Sequence, residues 1–257
     1  MLATDPSIVL VKEERKEMLL KQINLHTRVY LGDLASTLNV SEDTIRRDIN
    51  ELADEGKLIK IRGGAMSKAY HHTSAVQETY GHQDKRTIAE KCLPLLQNGM
   101  LILIGGGTTI RELIKLIPAD LRATFVTVNP LTAVELMDKP NLEIIMIGGQ
   151  ISRYSQMSVG GEVYQRLSEF RADLCIIGTN AIDARSGLTD SDWETVQAKK
   201  AMIQASAKVA VLAISEKLNS VMRMKIADLQ QIDYLITELP AESPQLTPYR
   251  TGNVQLR

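Results

Sequence analysis

From about Arg86 to Glu238 the sequence alternates between short apolar segments and segments with helical periodicity. The apolar segments are "MLILIGGG", "ATFVTVN", "LEIIMIGG", "ADLCIIGTN", "KVAVLAIS" and "IDYLITE". Strands that are apolar on both faces are typical of a parallel sheet covered by helices on each side. The alternation therefore predicts an α/β fold with a mostly parallel sheet over residues 86–240. Aromatic residues make up only 4% of the chain, so aliphatic side chains must build most of this core.

Residues 1–68 have a different pattern, in which three short helical segments precede two strand-like ones. The helical segments cover 13–23, 31–38 and the stretch after Ser41, a residue type favoured as a helix N-cap. After Gly56, "KLIKIR" alternates like a strand, and Gly63-Gly64 permits a hairpin turn. This order predicts a winged helix-turn-helix over 1–68, a linker over 69–85 and, beyond the α/β domain, a poorly ordered or surface tail over 241–257.

The third helix carries side chains suited to reading DNA bases. Its apolar residues define a buried face, so Arg47 and Asn50 lie near the opposite face and Arg46 lies on the flank. Arginine pairs with guanine and asparagine with adenine in the major groove, which such a helix enters. The predicted DNA-binding residues are Ser41, Thr44, Arg46, Arg47, Asn50, Lys60 and Arg62, with Lys57 and Lys68 also on the wing.

The overall charge gives no independent support for a nucleic-acid partner. The formal net charge is -1, and residues 1–68 contain as many acids as bases. The alternative is that Arg46 and Arg47 form solvated salt bridges with Asp43, Asp48 or Glu51. The two preceding helices, the cap and the hairpin favour DNA binding over that alternative.

A glycine-rich turn opens the first helix of the α/β domain. Gly105-Gly106-Gly107 ends an apolar strand, and Thr108-Thr109 begins the helix, where free amides attract an anion. The turn lacks the P-loop lysine and the third glycine of a dinucleotide fingerprint, so it suggests a small phosphate or carboxylate, or else a plain strand-to-helix turn. Other polar residues follow other strand ends, where open parallel sheets bind ligands. The predicted effector-binding residues are Gly105, Gly106, Gly107, Thr108, Thr109, Asn129, Gly149, Asn180, Asp183 and Lys217.

The sequence predicts neither a cofactor nor a metal site. The four histidines and two cysteines lack the spacing of metal ligands. Cys92 and Cys175 lie far apart in apolar surroundings, the N-terminus has no signal-peptide pattern, and no apolar run is long enough to cross a membrane. These features predict a cytoplasmic protein with no membrane partner.

The motifs of both halves resemble the DeoR/GlpR-type transcriptional regulators. The first half carries Arg15, Leu19 and Ile23, then "SEDTIRRDI" and the wing-like "IRGGA". The second half carries "GGGTT", "TVN", "MIGGQISRYSQMSVGGEV", "FRADLCIIGTNAID" and "ISEKLNS" in the family's order. The resemblance implies an effector domain similar to the ribose-5-phosphate isomerase and CoA-transferase fold, which senses phosphorylated sugars. The family's usual aspartate is replaced here by Gly105.

The resemblance implies a transcriptional repressor whose partners are a double-stranded DNA operator, a phosphorylated sugar or similar small anion, and further copies of itself. One alternative is a sugar-phosphate isomerase-like enzyme with an appended DNA-binding domain, since Asp183, Asp190, Asp192 and Glu194 supply carboxylates. The segment "ARSGLTDSDWE" has no lysine, which argues against catalysis. A further alternative is a DNA-binding module that takes a protein partner and has a vestigial pocket.

Overall fold

A computed structural model of the chain describes residues 11–26, 28–67, 80–153, 155–250 and 252–257. The chain divides into two compact units, residues 1–80 and 81–257. The first unit contains the predicted winged helix-turn-helix, and the second contains the predicted α/β domain with its mostly parallel sheet.

The first unit has three helices and a three-stranded antiparallel sheet of order β1-β3-β2. Strand β1 was not predicted, because a strand of three residues is too short to show a period. The elements are α1 (Lys12–His26), β1 (Arg28–Tyr30), α2 (Leu31–Leu38), α3 (Glu42–Asp54), β2 (Leu58–Ile61) and β3 (Gly64–Ser67).

Local chemistry explains where these elements begin and end. Ser41 caps α3 by accepting the Thr44 amide, as predicted. Gly56 follows α3 with a φ of 71°, a left-handed conformation that glycine adopts without strain. A Cβ at Gly64 would lie 2.0 Å from the Val29 carbonyl oxygen, so only glycine lets β1 pair with β3 here.

The second unit is built on a seven-stranded sheet of order β15-β14-β12-β9-β4-β5-β6, with every pair parallel. Six of these strands are the six predicted apolar segments. Helices α4 to α8 and two small sheets, β7-β8 and β10-β11-β13, complete the unit. Its elements are α4 (His82–Cys92), β4 (Leu101–Ile104), α5 (Thr108–Leu116), β5 (Thr124–Thr127), α6 (Pro130–Leu136), β6 (Glu143–Met146), β7 (Gln150–Ile151), β8 (Ser158–Val159), α7 (Gly161–Ser168), β9 (Leu174–Gly178), β10 (Ala181–Asp183), β11 (Gly187–Asp190), α8 (Trp193–Gln204), β12 (Val209–Leu212), β13 (Met224–Ala227), β14 (Tyr234–Ile236) and β15 (Gln255–Leu256).

The strand order reverses between β4 and β9. From β4 the chain proceeds to β5 and β6 on one side, whereas β9, β12, β14 and β15 extend the sheet on the other. In open parallel sheets such a switch point leaves a crevice at the carboxyl ends of the strands, where ligands bind. The loops after β4 and β9 flank this position, and the loop after β4 is the glycine turn.

The boundaries of the second unit differ from those predicted at both ends. Helix α4 begins at His82, within the stretch predicted as linker (69–85); Lys68 and residues 69–79 lie outside the described residues. The predicted surface tail instead joins the sheet, because β15 pairs with β14 and Tyr249 is fully buried. The Tyr249 hydroxyl donates to the Ile182 carbonyl (3.0 Å) and accepts the Asn219 amide (2.7 Å).

Candidate DNA-binding helix and anion site

The outward face of α3 presents two arginines. The Arg46 side chain is 56% exposed, and its Nε lies 3.8 Å from Oδ1 of Asp43, whose side chain is 82% exposed. Arg47 is exposed and forms no ion pair with any described residue. A long, solvent-exposed pair of this kind contributes little, so both guanidiniums are available to another anion.

The other two carboxylates considered as arginine partners are bound by α1. Arg15 donates two hydrogen bonds to the Asp48 carboxylate (Nε to Oδ2, 2.6 Å; Nη2 to Oδ1, 3.1 Å). Lys12 and Lys16 each bind Glu51, at 2.8 and 2.7 Å. These hydrogen bonds, that of Lys12 first, lower the pKa of Glu51 to about 2. Because residues of α1 neutralise Asp48 and Glu51, these two acids are not the partners of Arg46 and Arg47, and the salt-bridge alternative is left with the long, exposed Arg46–Asp43 pair alone.

The remaining predicted contacts on α3 have local roles as well. Ser41 Oγ accepts the Thr44 amide at 3.2 Å and lies 2.9 Å from the Thr44 hydroxyl. Asn50 is half-buried, and its Oδ1 is buried without a hydrogen-bond partner among the described residues. A buried amide oxygen without a partner costs free energy, and another donor would relieve this cost. Contact of these three residues with bases stays a prediction.

The hairpin of β2 and β3 forms the wing. Lys60 on β2 and Arg62 at the turn are exposed, whereas Lys57 is paired with Glu55 at 2.7 Å. The fourth predicted wing cation, Lys68, lies outside the described residues. Lys60 and Arg62 are therefore the wing cations of the described residues best placed to meet phosphates.

In the second unit, the glycine turn is held between the ends of three strands. Gly107 has φ 110° and ψ 169°, a conformation open to glycine alone. A Cβ at Gly106 would lie 2.3 Å from Nδ2 of Asn129, which follows β5. The Gly105 amide donates to the Ile176 carbonyl, and a Cβ at Gly178 would lie 3.9 Å from the Gly106 oxygen. The glycine turn therefore lies at the β4–β9 switch point and leads directly into α5.

Two predicted effector residues accept hydrogen bonds from backbone amides. Asn129 Oδ1 accepts the amides of Leu131 and Thr132 at 3.0 Å each, which caps α6, and the residue is buried. Asp183 Oδ1 accepts two amides of the following turn, and the Ser186 amide is the main cause of the lowered pKa of this carboxyl. We therefore assign both residues a role in shaping the edge of the site, while direct ligand contact stays a prediction.

Lys217 places an ammonium beside the turn. Its Nζ donates to the Thr179 carbonyl at 2.7 Å, one residue beyond Gly178. No carboxylate of the described residues forms an ion pair with it. Burial is the main cause that lowers the pKa of Lys217, to about 7. The positive charges of Lys85 and Lys199 also lower this pKa, and their effects are larger than the opposite effect of Asp190. A half-buried cation that forms no ion pair with a described carboxylate favours a bound anion.

The fold adds two lysines that the sequence did not single out, Lys85 and Lys199, and it places Asp190, considered above as a catalytic acid, in contact with Lys199. Asp190 is fully buried and accepts from Lys199 (3.1 Å) and from the Asn180 amide (3.2 Å). The β10–β11 hairpin brings Asp190 beside Asn180. Lys85 on α4 is buried, and burial lowers its pKa to about 8. Lys85 and Lys199 each interrupt an apolar stripe on their helix, which is the sequence signal that could have found them.

The predicted residues Thr108 and Thr109 lie half-buried at the start of α5, beside the glycine turn. Gly149 is exposed in the loop after β6. No group of three or more metal-ligating side chains is placed to hold a metal within the described ranges. None of the helices in the described part of the chain is long and apolar enough to cross a bilayer.

Two family models match this chain, and together they span both units. The model of the DeoR C terminal sensor domain matches residues 81–239, and that of the DeoR-like helix-turn-helix domain matches residues 15–70. The chain belongs to the DeoR family. This is a family of DNA-binding transcriptional regulators, and the exposed arginines of α3 lie within the segment that matches the DeoR-like helix-turn-helix domain.

Curated DeoR relatives match the chain over most of its length. The HTH-type transcriptional regulator GlpR of Haloferax volcanii is 31% identical over 228 residues, 88% of this chain and 89% of the relative. The HTH-type transcriptional repressor GlcR of Bacillus subtilis is 30% identical over 232 residues, 88% of each chain. The glycerol-3-phosphate regulon repressor of Haemophilus influenzae is 29% identical over 225 residues, 87% of this chain and 88% of the relative.

Among solved structures, ribose 5 phosphate isomerase A from Neisseria gonorrhoeae aligns with 53% of this DeoR-family chain and 53% of its own, with a TM-score of 0.39 and 17% identity. The eIF2B beta structure from Chaetomium thermophilum aligns with 88% of this chain and 66% of its own, with a TM-score of 0.46 and 13% identity.

Proposed function

We propose that this DeoR-family regulator is a repressor whose hold on operator DNA is controlled by a phosphorylated sugar or a related small anion. The anion binds at the glycine turn of the second unit, and the arginine-bearing helix of the first unit reads the operator. The names of two relatives support repression, and the name of one includes glycerol-3-phosphate.

One observation carries the effector assignment. Lys217 is half-buried and donates to the backbone carbonyl of Thr179; the preceding residue, Gly178, lies against the glycine turn that opens α5. An anion between them would be bound by the Lys217 charge and by the free amides of the helix start. A phosphate monoester fits such a site because it carries negative charge and several acceptor oxygens.

The DNA-binding part of the proposal rests on the outward position of Arg46 and Arg47. One such helix reads few bases, so we propose a homo-oligomer in the cytoplasm that binds repeated half-sites. The centres of two half-sites would then lie roughly 34 Å apart, or a multiple of this distance.

The DNA assignment can be tested with a duplex selected from a random library by the full-length protein. Arg46→Ala and Arg47→Ala should each weaken binding to the selected duplex by about 1–3 kcal/mol at fixed salt, while leaving binding to unrelated DNA less affected. Lys60→Gln should instead weaken all duplexes and lower the salt dependence by about one counterion. Arg171→Ala, an exposed arginine in the second unit, is the matched control. Unchanged affinity in both α3 variants would refute the assignment.

The effector assignment can be tested with a thermal-shift screen of phosphorylated sugars and polyols that starts with glycerol 3-phosphate. A ligand that binds only the folded state raises the melting temperature. Lys217→Ala and Thr108→Ala should lose this shift and should still bind the selected duplex, whereas Lys115→Ala, whose side chain is 61% exposed, should behave as wild type. Wild-type shifts in both site variants would show that the ligand is placed wrongly.

A further inference from the structure

One edge of the large sheet is apolar and open. Strand β6 ends the strand order, and within the described residues it has a neighbour, β5, on one side only. Its residues Ile144, Ile145 and Met146 are half-buried, whereas β4, β5 and β9 inside the sheet are almost fully buried. Edge strands usually carry charges, a proline or a bulge that prevents pairing with another chain, but β6 has only Glu143 at its first position. This edge can therefore accept another strand.

The backbone of β6 presents a regular set of groups to such a strand. The amides of Glu143 and Ile147 both donate to carbonyls on the β5 side. Because alternate residues of a strand direct their backbone groups to the same side, the N–H and C=O groups of Ile144 and Met146 point away from β5. Two residues at this spacing can form the hydrogen-bonded pairs of an antiparallel ladder.

Helix α6 adds exposed apolar side chains to the same edge. The helix packs on both β5 and β6, and Glu135 on one of its flanks binds Arg111 of the neighbouring α5. Met137 follows Glu135 by two residues, about 200° around the helix, so it lies on the flank that faces beyond β6. Met137 is 70% exposed and Val134, beside it on the helix, is 63% exposed. These are the two most exposed large apolar side chains among the described residues.

A second copy of this chain fits the edge because the edge is complementary to itself. About a two-fold axis at Ile145, Ile144 lies opposite Met146 of the second copy, and the reverse pair forms as well, so the outward backbone groups of both residues find partners. The same axis keeps the two Glu143 carboxylates roughly 14 Å apart, where salt screens their repulsion. An axis at Ile144 would bring them to roughly 8 Å. Charge therefore favours the axis at Ile145.

Pairing of the edges would also bring the two α6 helices together. Since α6 packs over β5 and β6, the helix and its symmetry mate would lie about two strand spacings apart, roughly 10 Å, which is a distance at which helices pack. Val134 and Met137 would then be buried between the helices. A foreign strand would cover β6 and leave these two side chains exposed, so the apolar flank of α6 favours a second copy as the partner.

We propose that two copies of this chain join their large sheets at β6, in an antiparallel pair with a two-fold axis at Ile145, and that their α6 helices pack side by side. The contact makes one continuous sheet through both copies. This inference rests on the proposed function only in taking the chain to be a homo-oligomer, and it names the surface through which two subunits associate.

The mass of the full-length protein in solution, measured by light scattering after size-exclusion chromatography, tests the interface. Val134→Lys and Met137→Lys each place a charge in the contact at a position that is exposed in the single chain, so both variants should fold and the mass of the assembly should fall by half. Val221→Lys is the matched control, because Val221 is 57% exposed in the segment before β13 and should keep the wild-type mass. Far-UV circular dichroism verifies that all three variants are folded.

A disulfide tests the register of the pair. Opposed residues of a non-hydrogen-bonded antiparallel pair have Cα atoms about 4.5 Å apart, within the reach of a disulfide. Ile145→Cys should therefore give a covalent dimer when it is treated with oxidised glutathione. Glu143→Cys is the control, because its Cα would lie roughly 14 Å from that of its mate. The native Cys92 and Cys175 are both buried and should not react.

The outcomes separate the inference from the proposal beneath it. A wild-type monomer would refute the inference together with the homo-oligomer of the proposed function. A wild-type oligomer whose mass is unchanged in Val134→Lys and Met137→Lys would overturn the inference alone. So would an oligomer in which Ile145→Cys forms no more covalent dimer than Glu143→Cys.

Discussion

The ion pair between Arg15 and Asp48 determines how firmly the first unit holds α3. Asp48 is 1% exposed, and both of its oxygens are bound by one guanidinium whose side chain is 13% exposed. Arg15→Met would leave a buried carboxylate without a countercharge. Removal of one partner of a buried pair costs about 3–5 kcal/mol, and the partial exposure of Arg15 places this case near the lower end, at about 3 kcal/mol.

Hydrogen exchange at the α3 amides of the full-length protein measures this loss. The only tryptophan, Trp193, belongs to the second unit, so its fluorescence would not report on the first. A loss of about 3 kcal/mol should speed exchange about a hundredfold when opening is at equilibrium. Lys12→Met is the matched control, because the Lys12–Glu51 pair is exposed and should be worth only about 0–1 kcal/mol.

A second variant tests the reason for the effect. Replacement of both partners, Arg15→Met with Asp48→Leu, removes the unpaired charge and should restore most of the lost stability. Equal exchange rates in Arg15→Met and Lys12→Met would show that burial of Asp48 does not determine how much stability is lost when its partner is removed. A double variant as unstable as Arg15→Met would point to lost packing instead of an unpaired charge.

Three further outcomes follow from the second unit. The pKa of Lys217 is lowered to about 7, and an anion binds the charged form of this side chain, so anion binding takes up a proton. The affinity for sulfate, measured by calorimetry, should therefore fall as the pH rises through 7, by an amount that approaches about tenfold per pH unit. In Lys217→Met the affinity should not depend on pH in this range. Gly106→Ala should abolish the phosphate-dependent thermal shift because its Cβ would meet Asn129 at 2.3 Å, whereas Gly105→Ala, whose Cβ would have only ordinary contacts of 3.5 Å or more, should keep it. Tyr249→Phe should lower the free energy of unfolding of the second unit by about 1–2 kcal/mol, measured by urea titration with Trp193 fluorescence, because the buried Ile182 carbonyl and the Asn219 backbone amide lose a partner. A loss no larger than that of an exposed tail substitution would contradict a structural role for the tail.

Periodicity and capping, both local properties, predicted most of the fold. Ser41 begins α3 because its side chain can satisfy an amide three residues later, whatever the rest of the chain does. Five of the six apolar segments became buried parallel strands, because a sheet covered on both faces can bury them, and the sixth became the half-buried edge strand β6. Strand β15 was missed because its two residues carry no period, and only the exposed edge of β14 makes it a strand.

Local sequence patterns were enough to predict an arginine-bearing helix after a cap, and an apolar strand that ends in a glycine turn. The groups that these residues face depend on how the chain folds. Arg15 reaches Asp48 across 33 positions, so this acid does not pair with Arg46 or Arg47. Lys85 and Lys199 act on Lys217 from helices distant in the chain. The physical reason is that helix and strand signals depend on neighbours within a few residues, whereas the partner of a charge depends on how the chain folds back.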